Sequence, residues 1–346
     1  VPPNSLPPPA RILIVRLSAL GDLVFATSLL QGLKQAWPQA QVDWLVQPEF
    51  ASFLQTQSTI SQTHIWPRKD WAALWRSFAW RALIKAVWRF AQGLRRQRYD
   101  LVIDAQGLAK SRALAWLAGG KRRIGYASKE PLGFLLHEQF KKPESPAPYA
   151  DKTIAQEHRA LVQHLTGRDG PAPFLQAASG AGNTVVLAPF TTRPQKHWPE
   201  AHWAALIDLL AEQGEHLAML GGPADVAAAA RILAAAANGG QVENLVGKTK
   251  LPDALSHIAA AKAVVGVDTG LTHMGVATGR PTVAIFGSTV PYRLGASGPL
   301  AVLWLGLSCS PCKRTPTCGG AFNCLGDITP PRVQGSLNAL LRPVRV

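Results

Sequence analysis

Acidic side chains are scarce in this 346-residue chain: 21 Asp and Glu stand against 36 Lys and Arg, leaving a formal net charge of +15 at pH 7. Such a balance calls for an anionic partner, whether nucleic acid, an anionic membrane surface or a phosphorylated small substrate. Long apolar runs are missing as well. None approaches the roughly 18 residues that span a bilayer, and the opening stretch VPPNSLPPPA lacks the charged and apolar regions of a signal peptide, so the expected location is cytoplasmic. Cysteine is absent outside one segment, CSPCKRTPTCGGAFNC, which carries Cys309, Cys312, Cys318 and Cys324 at C-x2-C-x5-C-x5-C spacing. In a cytoplasmic protein, four soft sulfurs in a Gly- and Pro-containing loop read as a structural Zn or Fe site rather than as disulfides. Four reduced thiols are the alternative, because the second pair is not a tight C-x2-C. Also lacking is the G-x-G-x-x-G fingerprint of dinucleotide sites. The G-x-G at Gly180 to Gly182 precedes a strand and has no third glycine, which argues against a nicotinamide cofactor.

What is present is a folded α/β pattern. Hydrophobic residues make up 47% and charged residues 16% of the chain, and the length suffices for two cores of about 150 residues each. Strand-like Ile12 to Arg16, Gln41 to Val46 and Leu101 to Asp104 alternate with a helix over Leu23 to Ala36 and a long basic helix ahead of Leu101. The stretch Thr166 to Asn183, rich in Gly, Pro, Ala and Ser, reads as an interdomain linker. Beyond it come strand-like Thr184 to Phe190, a helix from Pro199 to Gln213, His216 to Gly222, an Ala-rich helix, Ala263 to Asp268 and Thr282 to Gly287. Continuous apolar strands separated by helices predict parallel sheets covered on both faces. The expected architecture is two doubly wound domains, whose ligands bind beyond the carboxyl ends of the strands.

Four strand ends carry polar groups suited to chemistry. In SALGD, Asp22 follows a glycine at the turn into a helix. A carboxylate there is either a cap, worth about 0.3 to 1 kcal/mol, or a chemical group at the mouth of a cleft. In APFTTRPQKHWPEAHW, Thr191, Thr192 and Lys196 offer hydroxyls, an ammonium and backbone amides to a diphosphate, or else form a plain polar loop. In VDTGLTH, Asp268, Thr269 and Gly270 open a helix with an anion-binding N-terminus, and His273 follows about one turn on. In LGGPAD, Asp225 either accepts from ribose hydroxyls or caps its own helix. The segment from Trp66 to Asp100 interleaves Trp66, Trp71, Trp75, Trp80 and Trp88 with nine Arg and Lys. It suits an interfacial site where headgroups meet acyl chains, or a solvated basic face over a Trp-filled core.

Taken together, LSALGD, DAQGLAKS (Asp104 to Ser111), TTRPQKHWP, LGGPAD and VDTGLTH resemble family 9 glycosyltransferases, the ADP-heptose:lipopolysaccharide heptosyltransferases, from Arg11 to about Val333. DAQGLAKS, KEPLG (Lys129 to Gly133) and TTRPQKHWPEAHW look nearest to the heptosyltransferase I group of that family. The resemblance implies a GT-B fold, two Rossmann-like domains facing a central cleft. Residues 1–166 would bind acceptor, 183–330 would bind the nucleotide sugar, and 331–346 would pack back on the N-terminal domain. It implies inverting transfer of heptose from ADP-heptose to the Kdo region of lipid A at the inner leaflet of the membrane, with the enzyme peripheral and no cofactor required. By motif, Asp22 matches the general base, and Lys196 with Thr191 and Thr192 the diphosphate site. Asp268, Thr269, Gly270, Leu271 and His273 match the donor-sugar loop, and Asp225 a ribose ligand. Ser18, Gly21, Arg68, Lys69, Gln106 and Lys110 fall on the acceptor side, as does the basic Trp-rich segment, facing the Kdo and lipid A phosphates. The cysteine cluster departs from the heptosyltransferase I pattern and leaves the acceptor open. Another family 9 transferase, or a nucleotide-sugar enzyme with a different donor, is the rival expectation. A nucleic-acid-binding protein is a distant one, since no zinc-finger, homeodomain or RNP-type signature is present.

Overall fold

In the computed structural model, residues 7–143, 154–178, 180, 182–291, 297–312 and 314–342 are described. Residues 1–6 of the proline-rich start, Ser179 and Ala181 of the expected linker, and 343–346 of the expected C-terminal segment lie outside the described residues. The first half builds β1 (Arg11–Val15), α1 (Leu20–Ala36), β2 (Gln41–Val46), α2 (Pro48–Leu54), β3 (Gln62–Ile65), α3 (Arg68–Arg76), α4 (Trp80–Arg95), β4 (Leu101–Asp104), α5 (Ala109–Ala118), β5 (Arg122–Tyr126), β6 (Glu138–Phe140) and α6 (Ile154–Thr166). The second half builds β7 (Thr184–Ala188), α7 (Glu200–Ala211), β8 (His216–Met219), α8 (Val226–Ala235), β9 (Glu243–Asn244), α9 (Leu251–Ala260), β10 (Ala263–Val267), α10 (Gly270–Ala277), β11 (Thr282–Ile285), β12 (Leu300–Leu303), α11 (Asn323–Gly326) and α12 (Pro330–Leu341). Among the described residues, one compact unit holds those up to Pro171 and a second holds those from Ala172 on.

Each unit contains one sheet of six strands, in the order β3-β2-β1-β4-β5-β6 and β9-β8-β7-β10-β11-β12 respectively. All pairings are parallel. The two orders are the same. In each unit the chain first works outward from a central strand and then returns to that strand's other side, so the crossover helices of the outward half and those of the return half fall on opposite faces of the sheet. This is why the central strands read as unbroken apolar runs: Ile12 to Val15 of β1 and Ala263 to Val265 of β10 have no exposed surface. The same reversal makes the loops leaving β1 and β4, and those leaving β7 and β10, diverge at the carboxyl edge and open a crevice there.

Helix α1 lies against α6. A glycine is required at that contact, since a Cβ on Gly32 would sit 2.6 Å from a methyl of Val162. Next to it Ser28 Oγ donates to the carbonyl of Pro171 at 2.7 Å.

Two expectations are corrected. Helix α1 starts at Leu20 rather than Leu23, which places Asp22 inside its first turn. The long basic helix is two helices, broken at Ser77 to Ala79, where Phe78 takes φ 55° and the Trp75 and Trp80 rings meet edge to face across the corner. The C-terminal segment is described as far as Arg342. Its helix α12 packs on α7 and on strands β10 to β12, because the apolar side chains of Val333 and Leu337 complete the second unit's core.

Candidate functional site

In the first unit the residues at issue gather where the loops after β1 and β4 part. Arg16, the residue after β1, is buried. Its Nη1 donates to the carbonyl of Ala105 at 2.6 Å, and its Nη2 lies 2.5 Å from Asp22 Oδ2. The amide of Leu17 donates to Gln106 Oε1 at 2.9 Å, and the indole of Trp44 donates to the Arg16 carbonyl at 3.0 Å. Asp22 Oδ2 also accepts from the amide of Ala19 at 3.3 Å, so the residue caps α1. Its side chain nonetheless stays 31% exposed. Both contacts use Oδ2, and among the described residues none engages Oδ1.

Ser18 and Gly21 lie in the same turn as Asp22, and Gln106 faces it from the loop after β4. Lys110 is exposed on the first turn of α5. Arg68 and Lys69 are set apart from this group: they open α3 after the edge strand β3, two strand spacings or roughly 10 Å from β1. There Lys69 pairs with Glu49 at 3.6 Å, both exposed.

Three residues that sequence reasoning passed over hold this edge together. Arg16 is the first. Asp104 is the second: its Oδ1 accepts from the amides of Gln106 and Gly107, both at 3.0 Å, while among the described residues Oδ2 has no hydrogen-bond partner. Burial pushes its carboxyl upward despite those amides and the nearby Arg112 guanidinium. Arg112, fully buried, is the third. It donates to the carbonyls of Glu130, of Pro131 at 2.9 Å and of Tyr126 at 3.0 Å, and to Ser128 Oγ at 2.9 Å, which fastens the KEPLG segment to α5. The available signal was a charged residue at the end, or just past the end, of an apolar strand, as Arg16 and Asp104 both are.

The second unit repeats the arrangement where the loops after β7 and β10 part. Lys196 ends a single 3-10 turn, Pro194–Lys196, and its Nζ lies 2.5 Å from Asp268 Oδ2 just beyond β10. Asp268 also takes His273 Nε2 at 3.2 Å on Oδ1, and the hydroxyl of Thr289 at 2.5 Å on Oδ2. Burial alone would raise this carboxyl, but the hydrogen bonds and charges of His273 and Lys196 outweigh it and hold the group well below the usual carboxylate range. Thr269 is the N-cap of α10, so Gly270 and Leu271 present the first-turn amides that have no intrahelical acceptor. Thr191 is half-buried and Thr192 exposed in the loop after β7. Asp225 Oδ2 accepts from the amide of Gly222 at 2.8 Å, a capping contact on the turn before α8. Thr289 was missed, although it follows β11 within a run of hydroxyl-bearing residues.

Nothing among the described residues supports the expected structural Zn or Fe at the cysteines. Among the described residues, no three His, Cys, Asp or Glu side chains are grouped so as to hold a metal ion. Cys309 is exposed, Cys324 buried and the other two lie between. Burial and the neighbouring thiols push Cys312 and Cys324 upward, whereas backbone hydrogen bonds hold Cys318 below the usual thiol range.

A family model, Glycosyltransferase family 9 (heptosyltransferase), matches residues 87–320. Lipopolysaccharide heptosyltransferase 1 of Escherichia coli K12 is 32% identical over 297 residues, which cover 83% of this chain and 91% of that protein. The protein of the same name from Pseudomonas aeruginosa is 32% identical over 328 residues, covering 89% and 87% respectively. Among solved structures, E. coli heptosyltransferase WaaC with ADP-2-deoxy-2-fluoro heptose superposes with a TM-score of 0.74 at 29% identity, covering 95% of this chain and 99% of that one.

Proposed function

The chain belongs to glycosyltransferase family 9, the heptosyltransferases, and from that membership we propose that it moves heptose from ADP-heptose to the Kdo region of a lipid A type acceptor, with inversion at the anomeric carbon. It is a glycosyltransferase of GT-B fold. We assign residues 1–166 to acceptor binding and 183–330 to the nucleotide sugar, with the enzyme acting in the cytoplasm, peripheral to the membrane that holds the acceptor. No helix among the described residues is long and apolar enough to cross a membrane.

One observation carries this reading: each crevice is bordered by an ion pair that leaves one partner with capacity to spare. In the first unit, Arg16 and the amide of Ala19 share Asp22 Oδ2, and Oδ1 is left to take a proton. In the second, Lys196 spends one N–H on Asp268 and keeps others for phosphate oxygens. The acceptor hydroxyl attacks the anomeric carbon as its proton passes to Asp22, the bond from that carbon to the diphosphate oxygen breaks, and ADP leaves with the electron pair. Lys196, the first-turn amides of α10 and the hydroxyls of Thr191 and Thr192 meet the charge that develops on the leaving group. Asp268 and His273 fix Lys196 in place, and Leu271 lines the sugar side of the same turn. Asp225 would exchange its capping amide for ribose hydroxyls. Ser18, Gly21, Gln106 and Lys110 border the acceptor at the base, while Arg68 and Lys69 meet its more distant anionic groups.

The test is incubation with ADP-heptose and Kdo-lipid A. A mass gain of one heptose on the acceptor, with the opposite anomeric configuration by NMR, is expected; an unmodified acceptor alongside tight binding of a different nucleotide sugar would overturn the assignment. Arg16 acts here as a positioning residue. Arg16→Leu is expected to lower kcat by about 100-fold through misplacement of the base, with KM for ADP-heptose unchanged. A rise in that KM with kcat intact would mean that Arg16 serves the donor instead.

A further inference from the structure

Helices α3 and α4 carry a surface that the transfer chemistry does not use. Trp75 is 61% exposed, Phe78 75%, Trp80 41%, Ile84 68% and Trp88 59%. They are contiguous: the Trp80 ring meets Trp75 at 4.5 Å and Phe78 at 6.0 Å between centroids, and residues 80, 84 and 88 form one stripe along α4. The flank of α4 beside this stripe does the folding, with Leu94 buried and Phe90 against Trp71 at 5.4 Å, while Ala91, at the C-terminal end of the stripe's own line, is buried too. Beyond the ring contacts at the corner, Trp75, Phe78, Trp80, Ile84 and Trp88 take no part in this unit's core cluster.

Its sequence has a repeating logic. Each large exposed apolar residue on the two helices is followed directly by a cation, as Trp75-Arg76, Trp80-Arg81, Ile84-Lys85 and Trp88-Arg89. Successive residues stand about 100° apart on a helix, so the cations form a second row beside the apolar one. All four are exposed, and among the described residues none is in an ion pair. The core of a protein–protein interface is depleted of charge, whereas a row of Trp and Ile flanked by a row of Arg and Lys matches the boundary of an anionic bilayer, where rings sit at headgroup depth and cations meet phosphates. At 16 residues and with Arg81, Lys85, Arg89 and Arg95 along it, α4 is too short and too charged to cross.

We propose that the corner formed by α3 and α4 docks in the interfacial layer of an anionic phospholipid bilayer, with Trp75, Phe78, Trp80, Ile84 and Trp88 inserted and Arg76, Arg81, Lys85 and Arg89 on the headgroups. This deepens the membrane association in the reading above by naming the surface that makes it. The mode is in-plane, with α4 lying along the membrane.

The experiment is co-sedimentation of the full chain with vesicles of phosphatidylcholine alone or mixed with phosphatidylglycerol, in the absence of donor and acceptor. Binding to the mixed vesicles, weakened by salt, is expected. Trp75→Ser/Trp80→Ser/Trp88→Ser should weaken it at least about tenfold. Arg81→Gln/Lys85→Gln/Arg89→Gln should abolish the preference for the anionic composition. Both variants should bind ADP as the parent does, which checks that they are folded. No binding to either composition, or full binding by the serine variant, would overturn the proposal. So would self-association of the parent that the serine variant loses, without vesicle binding, since the face would then join two copies of the chain. Vesicle binding with no heptose transfer would sink only the enzymatic reading, and the converse result only this one.

Discussion

Asp22→Asn is expected to lower kcat for heptose transfer by roughly 1,000-fold, within the range a positioned general base supplies, while ADP binds as tightly as before. The substitution is chosen because it separates the two duties of the side chain. An amide oxygen can still accept from the Ala19 amide, which now takes Oδ2 at 3.3 Å, so the start of α1 is kept. What it cannot do is take a proton from an acceptor hydroxyl. Single-turnover kinetics with saturating donor, together with calorimetric titration of ADP, checks both halves. Near-parent turnover would reduce Asp22 to a cap, worth about 1 kcal/mol at most and without chemistry.

The second large effect is at Lys196. Lys196→Met should reduce kcat by about 100- to 1,000-fold, the loss typical of removing one group that stabilises developing charge, and should weaken ADP as well, because the diphosphate is charged before and after reaction. The fold should survive. Asp268 would keep His273 at 3.2 Å and Thr289 at 2.5 Å, two partners that do not depend on the lysine. Melting temperature and ADP titration on the same preparation separate loss of the site from loss of the fold. If kcat and ADP affinity were both unchanged, Lys196 would be no more than the counterion of Asp268.

The residues that announced themselves in the sequence are those whose type is unusual for their place. Asp22 after Gly21, Lys196 in a Pro-rich turn, and Asp268 closing an apolar strand all stand out against their surroundings, and all three lie where a central strand ends. What stayed hidden depends on contacts between distant segments. Arg16 reads as the last residue of a strand until its guanidinium is seen to join Ala105 to Asp22. Arg112 reads as one more basic residue on a helix until its bonds to the carbonyls of Tyr126 and Pro131 are seen. The break between α3 and α4 was illegible for a local reason: Ser77, Phe78 and Ala79 include neither Gly nor Pro, and the turn relies on Phe78 accepting a left-handed backbone. At the cysteines, spacing alone does not say whether four thiols within 16 residues of sequence converge on a common centre.

The tight seat of α1 on α6 ties the chemistry to a place well away from it. Gly32 lies ten residues along the same helix from Asp22, about 15 Å at 1.5 Å per residue, and nothing larger than hydrogen fits between it and Val162. A rigid rod seated that closely at one end acts as a gauge for the other: the reach of the carboxylate beyond the sheet is set by the thickness of a glycine backbone.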